Sequence, residues 1–393
     1  MRSLRKKAES LLQAGRFADA EEAFSACLDG DPRDSSALIG LGYCALVRND
    51  LNEAERRLDA ALRLKPRSKA ARGLLGELHY RRDDFDRAAP HFASSGRAAK
   101  ARQLASFAGH RPNEIEGDAY TRIPFLETDP LPVLDLHVNG NGPARFLLDT
   151  GGGELILDPE FAGRVGAVGF GAERGIFGGG RKARVEHGRV DSVRLGGFVL
   201  RNVPVAVLDL GAVAPTVGEA RLDGILGTVP LSRFTSTIDY PGGALLLERA
   251  SEAPSPRGFS VPFWLAGDHF VVAWGAVNGG PETLFFVDTG LAGNGFTCPS
   301  STLREARIEV KQELAEEARA LGSSAYRVVP FVVDDLRLGD FRRQHVDGVA
   351  GAFPPQLERG LGFRVGGLIS HQFFRSCALT FDFAAMRLRL QPV

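Results

Sequence analysis

The chain contains the tripeptide Asp-Thr-Gly twice, each time directly after three apolar residues: Phe146-Leu147-Leu148-Asp149-Thr150-Gly151 and Phe285-Phe286-Val287-Asp288-Thr289-Gly290. Eleven residues before each Asp stands the same Val-Asn-Gly, at 138–140 and at 277–279. Asn-Gly between apolar runs is a hairpin signal, so each unit reads as strand, turn, strand, with a carboxylate at the strand end. The repetition continues downstream. Gly224-Ile225-Leu226-Gly227 and Ile238-Asp239-Tyr240 in the first half answer Gly367-Leu368-Ile369-Ser370 and Phe381-Asp382-Phe383 in the second. The offset is 139 residues at the Asp-Thr-Gly units and 143 at the later landmarks, a drift that four residues of loop length explain. Landmarks repeating at near-constant spacing indicate an internal duplication. Two half-sites, each delivering one carboxylate, then meet to share one reaction.

These residues resemble the pepsin-like and retropepsin-like aspartic proteases, whose halves each contribute an apolar-apolar-Asp-Thr/Ser-Gly loop and a later apolar-apolar-Gly segment. The resemblance covers about two-thirds of the chain, from residue 124 onward, and implies a bilobal, self-contained version of an enzyme that single-copy relatives assemble by dimerising. It implies Asp149 and Asp288 as catalytic residues. It also implies Thr150 and Thr289 as cross-links between the two loops, with Gly151 and Gly290 permitting a tight approach. Ile225-Leu226-Gly227 and Leu368-Ile369-Ser370 would buttress the loops from behind. Flaps are expected at Gly178-Gly179-Gly180 and at Gly322-Ser323-Ser324 with Tyr326. The family places Ala, Ser or Thr after Asp-Thr-Gly. This chain has Gly152 and Leu291, which should alter the proton affinity of the pair and crowd one subsite.

The chemistry follows from charge. Two carboxylates a few Å apart cannot both stay ionised, so one acts as base toward a water and the other holds a proton to polarise a carbonyl, as in the aspartic protease pairs used as the standing example of the rule. The protons belong to the pair rather than to either residue.

The first hundred residues carry a different repeat. Gly15-Arg16-Phe17-Ala18-Asp19-Ala20, Asn49-Asp50-Leu51-Asn52-Glu53-Ala54 and Asp83-Asp84-Phe85-Asp86-Arg87-Ala88 recur every 34 residues, leading to Phe24, Leu58 and Phe92. Pro32 and Pro66 share the spacing, as do Leu41-Gly42 and Leu75-Gly76. The pattern resembles the tetratricopeptide repeat, paired antiparallel helices that commonly bind a peptide or protein partner. Packing against the second domain as a scaffold is an equal alternative.

The expected architecture is therefore multi-domain. Helical repeats with a closing helix occupy 1–108, a linker 109–123, and a mainly-β, internally duplicated acid-protease-like domain 124–393, with lobes at 124–250 and 258–393. Within that domain the charged stretch Leu303–Leu321 reads as a helix. At 44% apolar and 24% charged residues, composition is that of a globular protein. The net charge of zero removes the usual electrostatic ground for nucleic acid or an anionic membrane as partner. No apolar run follows the basic start, so neither a signal peptide nor a membrane span is expected, and a cytoplasmic setting follows. Cys27, Cys44, Cys298 and Cys377 lack metal-ligand spacing and read as reduced, buried residues, a Cys298–Cys377 disulfide being the alternative. The eight histidines form no ligand pattern. No metal or cofactor is expected.

The function expected is an aspartic endopeptidase, acting as a monomer with an internal pseudo-two-fold, whose repeat domain recruits a substrate or regulator. The rival reading is a non-catalytic interaction protein with a degenerate protease-like domain. A third keeps the enzyme but requires a homodimer.

Overall fold

The computed structural model describes residues 2–177, 180, 182–249, 258–318 and 325–392. Seven helices come first: α1 (Arg2–Gln13), α2 (Phe17–Gly30), α3 (Ser35–Val47), α4 (Leu51–Leu64), α5 (Lys69–Arg81), α6 (Phe85–Ser95) and α7 (Ala98–Ala105). Short polar residues start several of them. Asp34, Asp50, Ser68 and Asp84 each accept a hydrogen bond from a first-turn backbone N–H of the following helix, which satisfies donors the helix cannot. The 34-residue spacing becomes packing: Ala20, Ala54 and Ala88 are wholly buried, with Phe24, Leu58 and Phe92 beside them. A side chain at Gly40 would meet the Phe24 ring, one at Gly42 would meet Leu58, and one at Gly76 would meet Phe92. Glycine there lets the helices approach.

From residue 114 onward the chain is mainly β. The segment expected as a linker contains the strand Glu114–Gly117, paired with Phe198–Val207, and the start of the strand Tyr120–Glu127. Both Asn-Gly turns are left-handed hairpins, with positive φ at Asn139 and Gly140 and at Asn278 and Gly279. The asparagine side chains also act alike, Asn139 accepting from the backbone of Asp191 and Ser192 and Asn278 from that of Asp335.

The duplication is exact in register. The strand Asn141–Leu148 runs parallel to Gly224–Leu226, pairing Phe146, Leu147 and Leu148 with Gly224, Ile225 and Leu226. In the second half Phe285, Phe286 and Val287 pair in parallel with Gly367, Leu368 and Ile369. The halves are joined by a shared sheet in which Thr235–Asp239 pairs antiparallel with Cys377–Asp382, Thr237 opposite Thr380. The two threonine hydroxyls lie 2.7 Å apart on the pseudo-two-fold. One apolar cluster, from Leu134 and Phe146 to Phe285 and Phe381, runs through both halves.

The expected helix Leu303–Leu321 does not form. A helix spans only Ser300–Glu305, and Arg307 turns left-handed behind it. Ala306, Ile308 and Val310 then pack on the core at alternate positions, an extended rather than helical period, and Glu316–Ala318 is a strand paired with Tyr326–Leu338. Residues 319–321 lie outside the described residues. The four cysteines are free and buried, with no Cys298–Cys377 bond. Among the described residues no helix is long and apolar enough to cross a membrane.

Candidate functional site

Each Asp-Thr-Gly loop starts where a strand ends against its parallel neighbour. The Asp149 N–H donates to the Leu226 carbonyl at 3.1 Å, and the Asp288 N–H to that of Ile369 at 3.0 Å. The loop then folds back on its own carboxylate: Gly151 N–H donates to Asp149 Oδ1 at 2.8 Å and Gly290 N–H to Asp288 Oδ1 at 2.9 Å. Between the loops the threonines exchange places. Thr150 N–H donates to Thr289 Oγ1 and Thr289 N–H to Thr150 Oγ1, both at 3.0 Å, and Thr150 Oγ1 donates to the Val287 carbonyl at 3.1 Å.

This cross-link brings Asp149 and Asp288 into direct hydrogen-bonding contact. A side chain at Gly151 would collide with the Asp288 carboxyl, and one at Gly290 with that of Asp149. Both groups titrate above the ordinary Asp value. For Asp149 burial is the cause, partly offset by the hydrogen bonds from Asp288 and Gly151. For Asp288 burial is joined by the negative charge of Asp149. Such a pair holds a shared proton where an isolated Asp would have lost it.

The two halves differ behind the loops. In the second, Leu291 N–H donates to Ser370 Oγ at 3.0 Å. In the first, the matching residue is Gly227, where a Cβ would strike the carbonyls of Gly152, Gly153 and Glu154. Thr228 and Val229 instead donate their N–H groups to Gly152 and Gly153. Neither Gly152 nor Leu291 has a hydroxyl to offer the outer carboxylate oxygens. Leu291 is half-buried and packs beside Val328, Val349 and Ala352.

The pair opens into a cavity of about 1290 Å³, beyond the usual ~300–1,000 Å³ of a small-molecule pocket and fit for an extended chain. Leu131, Leu147, Ile156 and Leu208 line it from the first half, and Phe270, Phe286, Leu291 and Leu368 from the second. Of the residues expected as flaps, Gly178, Gly179, Gly322, Ser323 and Ser324 lie outside the described residues. Gly180 sits against Pro355 and Gln356 of the opposite half, and Tyr326 lines the cavity. The hairpins leading to both stretches, Val168–Ile176 with Lys182–Leu195 and Glu316–Ala318 with Tyr326–Leu338, border the cavity through Phe177 and Tyr326.

Packing of the repeats against the second domain is one of the two expectations stated for them; their share in the cavity, and two side-chain clusters, were not signalled by the sequence. The repeat helices do not stand apart: Tyr43, Gly73, Leu74, Glu77 and Phe92 line the same cavity as the two aspartates. Phe17 and Val47 bury themselves among Leu284, Phe286 and Phe363, Tyr43 Oη donates to the Leu361 carbonyl at 2.7 Å, and Arg233 bridges to Asp83 at 2.7 Å. Next, His269 Nδ1 lies 2.5 Å from Asp268 Oδ1 at the cavity edge beside Gly153. Burial pushes the Asp268 carboxyl up, but the bond and charge of His269 outweigh it and hold it well below the usual range. Last, Glu154 is buried with Lys100 and Tyr80. Burial raises its carboxyl, yet the Lys100 charge, followed by His187 and the hydrogen bonds from Lys100 and Tyr80, lowers it overall. These contacts join segments too distant in sequence for any local pattern to reveal.

An aspartyl protease family model matches residues 134–229, which contain the Asp149 loop and its buttress. A tetratricopeptide repeat model matches residues 11–78. The chain thus carries a tetratricopeptide segment followed by an aspartyl protease-like domain. No curated protein matches it. One similar solved structure is the "Crystal structure of PcrH in complex with the chaperone binding region of PopD", 25% identical and covering 27% of this chain and 74% of that one. Its TM-score of 0.23 is too low for the likeness to carry an argument.

Proposed function

We propose that the chain is an aspartic endopeptidase in which Asp149 and Asp288 activate one water between them, and that the repeat domain helps hold the substrate. The observation that carries this is the threonine-linked carboxylate pair, half-buried, with both carboxyls shifted above the ordinary Asp value, and opening into a peptide-sized cavity. The ionised member of the pair takes a proton from the water as it attacks the peptide carbonyl. The protonated member donates a hydrogen bond to the carbonyl oxygen, stabilising the negative charge that develops there. A proton then passes from the pair to the departing amine, and the pair returns to its singly protonated state.

The wall formed by α3, α5 and α6 supports a substrate-holding role for the repeats, because Tyr43, Gly73, Leu74, Glu77 and Phe92 line the cavity into which the aspartates open. The test is incubation of the full chain with a diverse peptide mixture across mildly acidic to neutral pH, with and without a statine-type transition-state mimic. Cleavage that the mimic suppresses and that Asp149→Asn abolishes is the expected result. Undiminished hydrolysis by Asp149→Asn would remove the aspartates from the reaction, and a blank from the parent chain would favour a binding protein.

A further inference from the structure

The second-half loop has a clamp of its own, Ser370, whose hydroxyl holds the Leu291 N–H. The first-half loop has Gly227 at that place, and Thr228 and Val229 hold it instead, their N–H groups on the Gly152 and Gly153 carbonyls and Thr228 Oγ1 donating to the Thr150 carbonyl at 2.8 Å. A second anchor lies beyond it. Glu154, five residues past Asp149, leaves the loop and enters the repeat domain, where it accepts a hydrogen bond from Tyr80 Oη at 2.5 Å and pairs with Lys100 Nζ. Lys100 itself is 2% exposed and sits 4.1 Å from the centre of the Tyr80 ring. Gln103 Nε2 extends the network to the carbonyls of Gly188 and Val205 at 2.7 and 2.9 Å.

We infer that Lys100 and Tyr80 are positioning residues for Asp149: through Glu154 they fix the far end of the Gly151–Gly153 stretch from outside, adding to the hold of Thr228 and Val229 a restraint without a counterpart among the described residues of the second half. Resting on the peptidase reading above, this makes the repeat domain a working part of the catalytic apparatus rather than a detachable recruiter. A buried ion pair has little net effect on stability by itself, but removing one partner leaves an uncompensated charge. The pair therefore suits fixing a conformation better than adding stability. Three consecutive glycines, 151 to 153, give the loop freedom that a fixed end point must restrain.

The experiment uses the full chain and three variants, Tyr80→Phe, Lys100→Met and Lys100→Arg. Turnover is measured on unfolded casein, and the titration of the aspartate pair is followed by NMR of ¹³C-carboxyl-labelled Asp. A loosened loop admits water to Asp149, so Tyr80→Phe and Lys100→Met should lower the titration midpoint of the pair by about one unit. They should also reduce kcat about tenfold with KM within about twofold. Lys100→Arg keeps the charge and should retain both properties. If Lys100→Met fails to fold, Tyr80→Phe decides, since it keeps the ring and removes only the hydroxyl. Folded variants that titrate and turn over like the parent would overturn the inference. A parent that cuts no casein but whose pair titrates lower in the variants would refute the peptidase reading and leave the positioning role standing.

Discussion

Replacing Thr150 by Val tests the cross-link at its centre. The side chain is 1% exposed, so valine fills nearly the same space and the loss is confined to the hydroxyl. Two bonds go with it: the acceptor for Thr289 N–H at 3.0 Å and the donor to the Val287 carbonyl at 3.1 Å. An N–H left unsatisfied in a buried site costs about 1–3 kcal/mol and a lost neutral hydrogen bond about 1 kcal/mol. Together these give about 2–4 kcal/mol. Trp264 and Trp274, the two tryptophans of the chain, both lie in the β region, so their fluorescence during urea unfolding reads the stability of that domain. The expected result is a lower urea midpoint at unchanged slope. Because displacement of a catalytic group by about 1 Å costs about a hundredfold in rate, kcat should fall by at least about tenfold while KM holds. Thr150→Ser, which keeps the hydroxyl, should recover most of both. A Thr150→Val protein with the parent's midpoint and turnover would refute the cross-link argument.

Asp288→Asn should abolish turnover and yet raise the melting temperature near neutrality. The folded value of Asp288 lies above the ordinary 3.8, so its contribution favours folding below that pH and is lost as pH rises through the folded value. The gain over the parent should vanish near pH ~3. Glu173, held at about 2 against 4.5 first by His187, whose Nε2 lies 3.4 Å away, has the opposite sign. Its stabilisation is present above 4.5 and lost as pH falls toward 2, so in thermal melts Glu173→Gln should show a deficit relative to the parent that shrinks across that window. Gly73, inside α5, faces open cavity, with only Ser95 within contact distance of an added Cβ. A glycine inside a helix costs about 1 kcal/mol relative to Ala, so Gly73→Trp should leave the melting temperature unchanged or higher while reducing kcat/KM for long peptides about tenfold and sparing short ones.

The parts legible in the sequence are those governed by local repetition. The Asp-Thr-Gly loops, the parallel partners Ile225 and Leu368, the Asn-Gly turns and the alanine-to-aromatic spacing of the repeats recur at fixed intervals. The structure gives each the geometry its residues demand. Legibility failed where a segment's form depends on a distant partner. Residues 306–310 fall in a stretch, Leu303–Leu321, whose charges suited one face of a helix, but Ala306, Ile308 and Val310 found a core to cover instead. Gly109 to Pro124 looked like a connector until Phe198–Val207 supplied an edge for Glu114–Gly117. Lys100 and Glu154 are unremarkable among 48 basic and 48 acidic residues, and only the folded chain selects them for each other.

The antiparallel seam between Thr235–Asp239 and Cys377–Asp382 has a temporal meaning. While the chain is being synthesised, the first lobe can take shape around its own hairpins, with Thr235–Asp239 pairing one edge to Ala244–Glu248, but the other edge of that strand has no partner until more than a hundred further residues have left the ribosome. The strand Gly367–Ile369, against which the Asp288 loop is held, arrives in the same late stretch. On the peptidase reading, a nascent chain is thus barred from cutting anything, itself and its neighbours on the polysome included, until translation of both lobes is essentially done.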